Sequence, residues 1–165
     1  MPIADLLLPE FDQEMANTRK VLERLPEDKF GWKPHPKSFT MGALATHVAT
    51  VPYWAVVIME KDFFDLAEPV ENPEAKTTAE LLERFDKYTA CARAAIAGAA
   101  DERMHETWSL RSGEKVVLAM PRIGVLRTLV MNHGIHHRAQ LAMYLRLNDV
   151  PVPPLYGPSA DEQAV

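Results

Sequence analysis

The sequence predicts an all-α fold, a four-helix bundle, on three observations. Four long segments of similar length carry apolar residues at steps of three and four, separated by proline-rich connections. Strand-like alternation is nearly absent. Apolar residues make up 47% of the 165 positions, enough for a packed core in one domain spanning 1–165.

The first helix is expected over residues 4–25. Leu7, Phe11, Met15, Thr18, Leu22 and Leu25 fall on one face, and Pro26 stops it. Residues 26–38 hold Pro26, Gly31, Pro34 and Pro36 and read as a loop, with Trp32 and Phe39 expected to pin it to the core. Thr40 is a suitable N-cap for a second helix running to about residue 64. Its stripe is Met41, Leu44, Val48, Val51, Ala55 and Ile58, and Pro52 should kink it.

Residues 65–76 read as loop. Thr77-Thr78-Ala79-Glu80 fits a capping box, with Thr77 accepting from below and Glu80 reaching back. Leu81, Leu82, Phe85, Tyr88, Ala92, Ala95 and Ile96 carry the third helix to Gly98. Within 99–120, two apolar runs flank Arg111-Ser112-Gly113-Glu114, which reads as a short hairpin or as irregular loop. Pro121 suits the first turn of a fourth helix reaching Leu147, and the tail 150–165 should fray at its end.

Composition excludes several functions. The net charge is -5 with both signs interspersed, so no basic nucleic-acid face is expected. The longest apolar runs, Val116 to Met120 among them, are too short to cross a bilayer, and no basic leader precedes an apolar stretch at the N-terminus. The lone Cys91 cannot form an internal disulfide. A cytoplasmic protein without nucleic-acid or membrane partners is the expectation.

The chemistry concentrates in "NHGIHHRAQ", residues 132–140. The stripe of the fourth helix runs Ile123, Leu126, Val130, then Leu141 and Tyr144. Stepping from Val130 by three, four and four reaches 133, 137 and 141, so His133 and His137 take core-facing positions one turn apart. His136 falls off that line. His47 sits three after Leu44 and four before Val51 on the second helix, also facing inward. A single inward histidine is most often a hydrogen-bonded core residue. Two side by side need partners for both rings and resist double protonation, and an i,i+4 pair suits one ion at about 2.0–2.1 Å from each nitrogen. With His47 added, the pattern favours a metal site.

Other candidates are weaker. There is no His-Glu-x-x-His, no glycine-rich phosphate loop and no Gly-x-Ser-x-Gly elbow. Cys91 lies among alanines and reads as a packed or half-exposed helix residue. His35 and His105 read as solvated, Glu80, Glu83 and Asp86 as a solvated face, and Trp32, Trp54 and Tyr144 as core aromatics first, any of which could also wall a pocket.

The segment "MNHGIHHRAQLAMYLRLNDVPVPPLYGPSADE", with "SFTMGALATHVATVPYW" and the lead-in "LPEDKFGWKPHPKS", resembles the DinB family, part of the DinB/YfiT-like superfamily of metalloenzymes. Nearly the whole chain takes part, residues 65–120 least. The resemblance implies an up-down-down-up bundle and a divalent ion on His47, His133 and His137, the three that helical phase selects. Ala139 stands where many members have glycine before the glutamine. Superfamily relatives include transferases that use low-molecular-weight thiols and a mycothiol-dependent isomerase. The implied function is a metal-dependent enzyme that activates water or such a thiol, a thiol S-transferase or a hydrolase on a small molecule. The alternative is a non-catalytic metal-binding bundle with a structural or stress-related role. Zinc is the first expectation for the ion and nickel the second, and family members are often homodimers. Three imidazoles leave positions open on the ion, the pattern of catalytic rather than structural sites.

Overall fold

The computed structural model describes residues 1–163. Its elements are α1 (Ile3–Leu22), a 3-10 turn (Glu27–Lys29), α2 (Met41–Thr50), α3 (Tyr53–Glu60), β1 (Phe63–Asp65) and α4 (Thr78–Ala97). Then follow α5 (Asp101–His105), β2 (Thr107–Ser112), β3 (Lys115–Pro121), α6 (Arg122–Val125), a π-helical stretch (Leu126–Asn132) and α7 (His133–Leu147).

The bundle is built on the stripes. Leu7, Phe11, Met15, Thr18 and Leu22 of α1 are all buried, and so are Met41, Leu44 and Val48 of α2 and Leu81, Phe85, Ala92 and Ile96 of α4. α1 packs against α4 and α7, and α2 packs against the same two helices. The second helical segment therefore lies between the third and the fourth. That arrangement brings His47 of α2 opposite α7.

Capping follows the sequence closely. Thr40 Oγ1 accepts from the Ala43 N–H at 3.1 Å, and Thr77 Oγ1 accepts from the Glu80 N–H at 3.1 Å. Glu80 reaches back to the N–H of Lys76, one residue beyond the reciprocal partner expected, Thr77. Pro52 divides the second segment into α2 and α3, bent by 40°. No single helix is long and apolar enough to cross a membrane. The bent pair α2–α3 passes on length and composition together, and most of its residues are buried against the bundle.

The chain departs from the all-α expectation in one place. A three-stranded mixed sheet, order β1-β2-β3, forms from residues 63–65 and 107–121. β2 and β3 make the antiparallel hairpin that the turn residues allowed, with Ser112 paired to Lys115. Gly113 takes φ +60 in the two-residue turn, a conformation that suits glycine. β1 pairs with β2 in parallel, Phe63 opposite Ser109. It begins where the second helix was expected to continue, because that helix ends at Glu60. Asp65 anchors the corner, accepting from the N–H groups of Ala67 and Gly113. These two bonds hold its carboxyl below the usual carboxylate range.

Two buried groups fasten the sheet to the bundle. Trp108 of β2 is fully buried and is one of the largest such side chains, although Trp32, Trp54 and Tyr144 were the aromatics expected in the core. Tyr144 is buried, while Trp32 and Trp54 are half-buried. Arg122, also fully buried, donates to the carbonyls of Ile58 and Lys61 at 2.9 and 3.1 Å and to Asp62 at 2.7 Å. One guanidinium thus ties the end of α3 to the start of α6.

The fourth segment is helical throughout, yet its middle is π-helical rather than α-helical. Thr128 Oγ1 donates to the carbonyls of Gly124 and Val125 at 2.9 and 3.2 Å, taking up acceptors near the change of winding. Regular α geometry resumes at His133.

Phe39 does not pin the 26–38 loop as expected: its side chain is 57% exposed. Its carbonyl accepts from Tyr144 Oη at 3.2 Å, and Trp32 packs edge-on against the Tyr144 ring. The tail is held further along than expected, with Asp161 paired to Arg146 and Glu162 to Arg24. Ala164 and Val165, where fraying was expected, lie outside the described residues.

Candidate metal centre

α2 and α7 place three imidazoles together. Ring centroids of His47 and His133 lie 5.0 Å apart, those of His47 and His137 4.6 Å, and those of His133 and His137 4.5 Å. Each ring offers a nitrogen within 4.8 Å of the other two. Among the described residues no carboxylate or thiol joins the group. His133 and His137 are one turn apart in regular α-helix, which is why both face α2.

Hydrogen bonds identify the free nitrogens. His47 Nε2 and His133 Nε2 are 2.8 Å apart, so one donates and the other accepts. His137 Nδ1 lies 2.8 Å from Gln140 Oε1, and only a nitrogen can donate in that pair. The bond fixes the His137 tautomer and leaves its Nε2 as the lone-pair donor. Moving the proton of the donating ring to its Nδ1 lets all three rings present Nε2 to one point.

The electrostatics keep the lone pairs available. Burial lowers the His47 pKa to about 4 from the ordinary 6.5, with the charges of His137 and His133 adding to the effect. His133 is lowered as well, first by burial and then by His137 and His136. Both rings are neutral at pH 7, as metal binding requires.

The donor set fits a divalent ion. Two nitrogens bound to one ion at about 2.0–2.1 Å are separated by about 3.3 Å in tetrahedral geometry. The observed separations, 2.8 Å for one pair and no more than 4.8 Å for any, bracket that value. Small ring rotations close the difference, and the group could hold a divalent metal ion.

The other polar candidates stand apart. His136 is exposed, its ring 4.9 Å from that of His137 but outside the three-nitrogen group. Arg138 points away from the histidines into the core, bonded to Glu14 and Thr18. His35, His105 and Cys91 are exposed.

Two cavities open beside the histidines. One, of 180 Å³, is lined by His47, His133, Trp54, Leu66, Leu110 and Leu129. The second, of 310 Å³, shares His47, Trp54 and Leu66 with the first and extends to Tyr53, Glu68, Glu71, Asn72 and Tyr88. A further cavity, of 290 Å³, beside Glu80, Glu83 and Lys87 touches none of the three histidines. Leu66 and Leu110 belong to the sheet region, Leu66 donating its N–H to the Arg111 carbonyl. The sheet region thus supplies one wall over the site, Leu110 from the hairpin and Leu66 from directly after the unforeseen β1. Sequence reasoning missed Gln140, although its i+3 spacing from His137 marks it as a neighbour on one helix face. No local signal pointed to Leu66 or Leu110, whose placement depends on long-range strand pairing.

Comparison with known proteins follows the same outline. The family model described as "DinB family" matches residues 1–164. The uncharacterized protein YrdA of Bacillus subtilis is 26% identical over 160 residues, covering 97% of this chain and 92% of that protein. The uncharacterized protein YjoA of Bacillus subtilis is 28% identical over 132 residues, covering 78% and 80%. Among solved structures, a DinB-like protein from Bacillus cereus superposes with a TM-score of 0.74 at 22% identity, covering 90% of this chain and 95% of that one. The DinB-like YjoA of Bacillus subtilis gives 0.71 at 20% identity, covering 97% and 99%. At these identities the solved structures establish the fold.

Proposed function

The chain belongs to the DinB family, and from that premise we propose that it is a metal-dependent enzyme acting on a small molecule, with His47, His133 and His137 as ligands. The reaction is transfer of a low-molecular-weight thiol or hydrolysis. Zinc is the proposed ion and nickel the second choice, since imidazole suits both. One observation carries the enzymatic reading: the histidine group opens onto two cavities rather than being sealed in the core, through His47, which lines both, and His133, which lines the inner one.

A bound divalent ion supplies Lewis acidity that makes water or a thiol nucleophilic near neutral pH. The protein's own residues do the rest. Gln140 holds the His137 ring in the tautomer that offers Nε2. Trp54, Leu66, Leu110 and Leu129 keep bulk water from the histidine edge and give an apolar surface for substrate. Besides His47, the titratable groups lining the outer cavity are Tyr53, Tyr88, Glu68 and Glu71, and the acid or base is drawn from these four.

The test loads the protein with zinc or nickel and screens thiol conjugation and ester or amide hydrolysis. Metal-dependent turnover that disappears in His133→Ala supports the proposal. A second reading, a non-catalytic metal-binding bundle, rests on the ligands bridging two helices. It predicts that chelation unfolds the protein and that no substrate class turns over.

A further inference from the structure

We infer that the site selects substrates by two properties: a compact apolar group and a neutral or cationic, rather than anionic, remainder. This rests on the proposal that the three histidines form the reacting centre.

The first property follows from the inner cavity. Four of its six lining residues are Trp54, Leu66, Leu110 and Leu129, and the only polar groups are the two imidazoles. Its 180 Å³ compares with the cavity of about 150 Å³, lined by aliphatic and aromatic side chains, that accepts benzene. One six-membered ring or branched alkyl group fills it. A charged or strongly hydrated group placed there would lose its water with no partner to replace it.

The second property follows from the outer cavity, which a substrate reaching the histidines also occupies. Glu68 and Glu71 line it, and no lysine or arginine does. Two cations contact its lining residues from outside. Arg84 donates to Asn72 Oδ1 and the Pro73 carbonyl, and the Lys61 ammonium sits 5.9 Å from the Phe64 ring centroid. Neither side chain lines the cavity itself. A carboxylate-bearing substrate, including a thiol that carries carboxylates, meets two like charges without a compensating one. An amine, a hydroxyl-rich molecule or a plain alcohol meets acceptors. The remaining lining groups, Thr50, Asn72, Tyr53 and Tyr88, suit hydroxyls and amides.

Binding of three probes of equal length tests this: 4-phenylbutylamine, 4-phenylbutanol and 4-phenylbutyrate. They are titrated calorimetrically into the full chain, metal-loaded and metal-stripped, at low salt. In stripped protein the amine and the alcohol should bind, and the butyrate more weakly than the amine by about fivefold, the scale of one partly exposed ion pair. The Glu68→Gln, Glu71→Gln double variant should shrink that ratio toward one. Leu129→Trp should abolish binding of all three probes, and Leu110→Trp serves if that variant fails to fold. Butyrate binding equal to or tighter than the amine in stripped protein overturns the charge preference. Full binding in both tryptophan variants overturns the pocket. Metal content of the same samples is read separately. A chain that binds the probes but no metal refutes the metal reading while leaving the pocket standing.

Discussion

His47 Nε2 and His133 Nε2 lie 2.8 Å apart, although 86 residues separate them in the chain. The contact exists because α2 packs on α7 and both rings stay uncharged. Two protonated imidazoles could not share that position, whereas one divalent ion between two neutral rings could.

Metal content is the first consequence. Purified wild-type protein should carry about one divalent ion per chain, the stoichiometry of three ligands converging on one point. His47→Ala, His133→Ala and His137→Ala should each lose most of it, while His136→Ala retains it. Elemental analysis by plasma emission decides. Retention in His137→Ala with loss in His136→Ala would reverse the assignment.

Gln140 should matter without being a ligand. Gln140→Leu removes the acceptor that orients His137 and should weaken metal affinity by about 10–100-fold, the usual effect of losing such a partner. Competition with a chromogenic chelator measures it. Gln140→Glu, which still accepts from Nδ1, should recover most of the affinity.

Acid should destabilise the metal-free protein over a defined window. An unfolded histidine takes up a proton near 6.5, whereas folded His47 resists until about 4. Between those values the unfolded chain binds more protons, so stability falls as pH falls and is level above about 6.5 with respect to this group. His133 contributes with the same sign. Urea midpoints of stripped protein at about pH 7 and about pH 5 should show the drop, and His47→Leu should flatten it. A midpoint that rises on acidification would contradict the direction of both shifts.

Arg138 holds the far side of the ligand helix. Its buried guanidinium pairs with Glu14 at 2.7 Å and donates to the Glu14 carbonyl, Thr18 and Tyr156. Arg138→Met leaves the Glu14 carboxylate buried without its cation and should cost about 3–5 kcal/mol. Tyr156→Phe, which removes the hydrogen bond to Glu14 and the one from Arg138, should cost about 2 kcal/mol. Denaturant unfolding of the two variants separates these magnitudes.

Much of this was legible in the sequence, for local reasons. The stripes of α1, α2 and α4 and the caps at Thr40 and Thr77 depend on neighbours within one or two turns. His133 and His137 were found because α geometry holds across them. The path to them from Val130 crossed a π-helical stretch that periodicity could not foresee, since its widened turns leave no signature in residue type. The sheet was only half visible. Gly113 announced the hairpin, but the parallel pairing of β1 with β2 joins segments more than 40 residues apart and has no turn to mark it. The cavity walls at Leu66 and Leu110 were hidden with it. The buried role of Arg122 was equally invisible, because an arginine's exposure is set by distant carbonyls rather than by its own neighbours.

The division of ligands between α2 and α7 has a temporal meaning. α7 follows every other helix of the bundle during synthesis, so a nascent chain carries His47 long before its two companions exist. No ion can be captured by all three until that last helix docks, and Tyr156, reaching back 142 residues to Glu14, docks later still. An ion held by all three would therefore be acquired late in the life of each molecule, only after the bundle has closed.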